Sequence, residues 1–164
     1  MAFILDTNIF LQAKNFNYPM RYFPGFWDWL DLGFKSGQLI LHSSVYKEVI
    51  AGNDEASDWI RGRSQYVINK NTNELLGNHK KIANFVKEKG FKYIDGFLAK
   101  ADSRIIAYAM CTHDTIITLE KSEPSAKKNP KIPDVCLQFN VKCKNLLYLF
   151  ENSNPNPVFT LKQY

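Results

Sequence analysis

Short apolar runs alternate with longer stretches of helical spacing along this chain, and that alternation constrains its fold most. The runs are residues 2–6 of "MAFILDTNIF", "QLILHS" (38–43) and "DTIITLE" (114–120). Between them lie helical stretches: "PGFWDWLDLGFKSG", with Pro24 near its start and Gly37 near its stop, "SVYKEVIAG" (44–52), "DEASDWIRGRSQ" (54–65), "NELLGNHKKIANFVKEKG" (73–90) and "LAKADSRIIAYAMCTH" (98–113). Ser43 or Ser44 is placed to cap the helix after the second strand. A short helix "PDVCLQFN" (133–140) follows, and "VKCKNLLYLF" (141–150) begins as a strand and turns helical. The stretch 11–25, rich in Asn, Pro and aromatics, reads as a loop. Strands separated by helices imply an α/β fold with a mostly parallel sheet covered on both faces.

At 164 residues, a single domain with a full core is expected, with 151–164 as an irregular C-terminal extension. No apolar run approaches the roughly 20 residues of a membrane helix. The N-terminus lacks a basic segment followed by a long apolar core, so no secretory signal is read and a cytoplasmic location is expected. Cys111, Cys136 and Cys143 form no CxxC pair and read as reduced, buried thiols. The net charge of +5 suits a polyanionic partner such as nucleic acid. Basic residues cluster in "HKKIANFVKEKGFK" (79–92) and "KKNPK" (127–131). A solvated helix face explains the first cluster equally well.

The acids fall at element boundaries. Asp6 ends the first strand, and Glu48 lies early in the helix after the second. Asp102 opens a later helix, Glu120 ends a strand and Asp134 opens a short helix. Parallel strands bring their carboxyl ends to one edge of the sheet, so all five can converge there. Converging carboxylates repel one another unless a cation neutralises them. Oxygen ligands without His or Cys suit Mg²⁺ or Mn²⁺. Taken singly, each acid has a plainer role: Asp6, Asp102 and Asp134 as helix caps or first-turn acids, Glu48 and Glu120 as solvent-facing residues.

These motifs resemble the PIN-domain family of metal-dependent nucleases, over roughly 1–150. They are "FILDTNIF" (3–10), "SVYKEVIAG" (44–52), "KADSRIIAYAM" (100–110) and "IITLEKS" (116–122). More narrowly, "FPGFWDWLD" (23–31), "DEASDW" (54–59) and "KIPDVC" (131–136) resemble the PIN-like DUF4411 family of prokaryotic proteins. The resemblance implies a three-layer α/β/α sandwich, Mg²⁺ or Mn²⁺ as cofactor and hydrolysis of RNA phosphodiester bonds. It implies Asp6, Glu48 and Asp102 as metal ligands and catalytic acids, and Asn8 as the residue orienting the first carboxylate or a bound water. The family's last acid is usually an Asp two residues after a Thr. Here Glu120 follows Thr118, which the resemblance implies as a further orienting residue, and Asp134 is the alternative source of a fourth metal-binding acid. Lys14 and Arg21, in the 11–25 loop, would flank the substrate path. Many relatives are toxins of toxin–antitoxin pairs, which leaves room for an antitoxin partner or a homodimer.

Two other readings compete. A haloacid-dehalogenase-like phosphatase would carry a second Asp two residues after Asp6, where this chain has Asn8. A catalytically inactive PIN-like module would bind RNA or protein instead, with Tyr18, Arg21, Tyr22, Phe23 and Trp27 able to stack on unpaired bases. For Phe23 and Trp27, packing in the loop and helix is the preferred role. His42, His79 and His113 are scattered and give the serines no evident base, and no GxxxxGK[ST] loop is present.

Overall fold

The computed structural model describes residues 2–158. Five parallel strands form its sheet: β1 (Phe3–Leu5), β2 (Leu39–His42), β3 (Val67–Ile68), β4 (Thr115–Ile117) and β5 (Cys143–Lys144), in the order β3-β2-β1-β4-β5. Helices α1 (Thr7–Gln12), α2 (Pro24–Lys35), α3 (Ser43–Ile50) and α4 (Glu55–Arg61) precede β3. Helices α5 (Asn73–Lys89), α6 (Ile94–Ala99) and α7 (Ala101–Thr112) join β3 to β4, α8 (Ile132–Gln138) joins β4 to β5, and α9 (Leu146–Asn152) follows. The chain steps outward from β1 through β2 to β3, crosses back, and steps outward again through β4 to β5. Right-handed crossovers therefore place α1–α4 on one face and α5–α8 on the other. This is the expected three-layer α/β/α sandwich.

β1 is the middle strand, with Phe3 opposite Leu39 on one side and Thr115 on the other. Covered on both faces, it is apolar at every position, as a central parallel strand must be. Gly33 allows α2 to press onto β2, because a Cβ there would lie 2.5 Å from the Leu39 side chain. The aromatic loop before α2 is partly ordered: Ala13–Asn17 form a π-helical turn continuing α1. Tyr18 stacks on Phe26 at 4.3 Å, and its carbonyl accepts from Trp27 Nε1 at 2.8 Å. Trp27 is buried as expected, whereas Phe23 touches Tyr18 edge-on but stays exposed. Beyond α9, Trp29 Nε1 donates to the Pro155 carbonyl and the Asn154 amide to Gln38 Oε1, tying residues 154 and 155 to α2 and the start of β2.

Three local expectations change. The helix expected over 98–113 is two helices, broken at Lys100, whose backbone is extended (φ −83°, ψ 176°). The break leaves the first amides of α7 outside any helical ladder and available to other acceptors. The cap of α3 is not Ser43 or Ser44 but His42, whose Nδ1 accepts from the Ser44 amide at 3.2 Å. β3 went unread, because two residues are too short to show a period.

Candidate functional site

In a sheet of this order the chain reverses its winding between β1 and β4, and ligands favour the crevice at the carboxyl ends of such strands. Asp6 leaves the end of β1 there, and Thr118 leaves the end of β4 beside it. The ladder continues through the Asp6 amide, which donates to the Ile117 carbonyl at 3.0 Å. Thr118 Oγ1 donates to Asp6 Oδ2 at 2.8 Å and accepts from the Glu120 amide at 3.0 Å. One hydroxyl thus fixes both the first carboxylate and the turn that carries Glu120.

Asp6 stands at the N-cap position of α1, yet its side chain makes no capping hydrogen bond. It is fully buried, and Oδ1 has no hydrogen-bond partner. A buried, unpaired carboxylate oxygen is costly, and no capping hydrogen bond from α1 satisfies it. Burial pushes the Asp6 carboxyl from 3.8 up to about 6, and the Glu120 charge adds to the rise. The Thr118 hydrogen bond and the backbone amides of Thr7 and Asn8 work the other way. Asn8 is half-buried and contributes through its amide.

Asp102 lies in the first turn of α7 and is likewise no side-chain cap. Burial, then the charges of Asp6, Glu120 and Glu48, push its carboxyl from 3.8 up to about 7, while Lys100 opposes them. Three of the other acids named from the sequence therefore act on Asp102. Glu48 is held by two donors, Thr7 Oγ1 to Oε2 at 2.7 Å and the Ala101 amide to Oε1 at 2.6 Å. The second donor exists because α7 begins afresh after Lys100. Glu120 Oε2 accepts from the Ile132 amide at 2.9 Å, which draws the start of α8 toward the site.

Asp134 stands apart from this group. Its two carboxylate oxygens are taken by Ser122 Oγ and the Glu123 amide, so it braces the loop between β4 and α8. Lys14 pairs with Asp54 at 2.6 Å, and exposed Arg21 lies 5.7 Å from the Tyr22 ring centre. Among the described residues, neither basic residue lines the two clefts that reach the acids. No three His, Cys, Asp or Glu side chains among the described residues gather into a preformed metal-ligand group.

One of those clefts, about 390 Å³, runs from Glu48 past exposed Lys47, Lys70 and Arg104. The other, about 470 Å³, runs from Thr118 and Glu120 past Lys144 and Tyr148. The sequence reading missed Thr7 and these basic residues. Thr7 follows the strand-end Asp directly, which was its only available signal. The basic residues come from separate segments and share no run.

Residues 3–156 match the model of a family described as a domain of unknown function, DUF4411. The chain belongs to that family. No curated protein and no solved structure matches this DUF4411 chain.

Proposed function

We propose that this DUF4411 protein is a metal-dependent nuclease of PIN-like type, an endoribonuclease using Mg²⁺ or Mn²⁺ at Asp6, Glu48, Asp102 and Glu120. The observation that carries the reading is Asp6 Oδ1, a fully buried carboxylate oxygen without a hydrogen-bond partner, in a group where the charges of Asp6, Glu120 and Glu48 all act on Asp102. A divalent cation answers both problems at once, since it satisfies the oxygen and neutralises the repulsion. The donor set is all oxygen, which suits a hard cation. Once bound, such an ion supplies an activated water and screens charge on a phosphodiester.

The chain's own residues contribute the rest. Thr118 holds Asp6 by one oxygen and leaves the other free. Thr7 and the Ala101 amide hold Glu48 in place. Lys47, Lys70 and Arg104 offer positive charge along the adjoining cleft to consecutive phosphates, where RNA would lie. An antitoxin partner, as many PIN-domain toxins have, remains part of this proposal.

A second reading, a non-catalytic RNA-binding module, is favoured by one feature: both oxygens of Glu48 are already engaged by protein donors. Calorimetric Mn²⁺ titration and an RNA-cleavage assay on wild type and Asp6→Asn separate the two. Nuclease function predicts metal binding and cleavage in wild type and loss of both in the variant. RNA binding by wild type and variant alike, without metal uptake or cleavage, would sink the nuclease reading.

A further inference from the structure

The two lysine-rich segments singled out in the sequence meet on one surface. The Lys92 amide donates to the Lys127 carbonyl at 3.0 Å, and the Tyr93 amide to the Lys128 carbonyl at 2.8 Å. This seam joins the chain leaving α5 to the loop before α8. Beside it lies a groove of about 510 Å³. Its walls include Phe85, Phe91 and Val135, and Leu137 projects from α8 at 81% exposure. Lys89 and Lys127 line its rim, with exposed Lys87, Lys92 and Lys128 nearby in the chain. The groove's own acid, Asp134, accepts from two neutral donors, Ser122 Oγ and the Glu123 amide, and keeps its charge. Counted with the other nearby acids, Glu88, Asp95 and Glu123, it is still outnumbered by these five lysines.

We propose that this groove docks an acidic, amphipathic peptide segment of a partner protein, apolar side chains against Phe85, Phe91 and Leu137, and carboxylates against the lysine rim. Charge complementarity selects this occupant. A second copy packed face to face would set lysines against lysines. RNA would satisfy the rim and stack bases on the phenyl walls but leave Leu137 without an apolar partner. A helix bearing apolar residues at i, i+4 and i+7 with acids between them satisfies both. The inference does not depend on metal binding at Asp6.

The test is fluorescence anisotropy of the full chain with a short labelled peptide carrying Leu at i, i+4 and i+7 and Glu elsewhere. Saturable binding is expected, weakened by about tenfold or more by Leu137→Glu and, separately, by Lys89→Glu combined with Lys127→Glu. Peptides with Lys in place of Glu, or Ser in place of Leu, should each bind at least about tenfold more weakly. Leu137 and both lysines are exposed, and thermal melts matching wild type confirm that the variants fold. The proposal is overturned if the Glu/Leu peptide fails to bind, or if it binds the variants as well as wild type. Equal binding of either control peptide also overturns it, reducing the groove to plain stickiness or plain charge. So does self-association by sedimentation that Leu137→Glu abolishes, which would assign the groove to a second copy.

Discussion

Replacing Asp102 by Asn should make the metal-free protein more stable at alkaline pH, although it removes a residue of the proposed site. The Asp102 carboxyl is held at about 7, against an ordinary 3.8, by burial and by the charges of Asp6, Glu120 and Glu48. Between those values the folded protein keeps a proton that the unfolded chain has released. The stabilising contribution is therefore complete at low pH and is lost as pH rises through about 7. Some three decades of pH at about 1.4 kcal/mol each correspond to roughly 4 kcal/mol. Asn must still be buried, and Asp6 and Glu120 continue to repel each other, so the variant should recover about half, ~2 kcal/mol. For a chain of this size that is a rise in Tm of roughly 4–8 °C at about pH 8. At about pH 4 the gap should close, since Asp102 is then protonated in the folded protein. Circular-dichroism melts in chelator across that range measure it. A variant that melts at or below wild type at alkaline pH, or a gap that does not widen with pH, would refute the picture of Asp102 held protonated by burial and the charges of Asp6, Glu120 and Glu48.

Thr118→Val removes both the donor to Asp6 Oδ2 and the acceptor of the Glu120 amide, and should cost about 1–3 kcal/mol in chemical denaturation. Burial, with Arg104 adding, lowers His42 from 6.5 to about 4, so its contribution is present above the unfolded value and lost as pH falls toward about 4. His42→Asn should flatten the acid limb of the wild-type stability curve by roughly 3 kcal/mol; an unchanged limb would show that His42 does not cause it. If the cleft beside Glu48 follows a phosphate backbone, Lys70→Glu and Arg104→Glu should each reduce the salt dependence of single-stranded RNA binding, by about 0.7 in log–log slope for each phosphate no longer neutralised. Unchanged slopes would remove that cleft from the RNA path.

The alternation of apolar runs with helical spacing determined the α/β class and the parallel sheet by itself. A strand buried on both faces has to be apolar throughout, and parallel strands need helical crossovers. Asp6, Glu48, Asp102 and Glu120 were legible for a related reason: each lies at or soon after a strand end or in a helix that follows one, and parallel topology carries those segments to one edge. Asp134 met the same criterion, yet the structure spends it on Ser122 and Glu123. Boundary position states which edge a residue reaches, not which donors surround it there. Lys14 likewise pairs with Asp54 through a contact spanning 40 positions, which local sequence does not reveal.

What only the tertiary structure decided is which polar groups satisfy one another. The break at Lys100 gives Glu48 an amide from α7, Thr118 reaches across from β4 to β1, and nothing among the described residues hydrogen-bonds to Asp6 Oδ1. Two lysine clusters that read as separate helix and loop features likewise join beside an apolar groove. Hydrophobic periodicity is a local property of the chain and survives in the sequence. Hydrogen-bond satisfaction and charge repulsion are set over a few ångströms between residues far apart in the chain, so they exist only once it has folded.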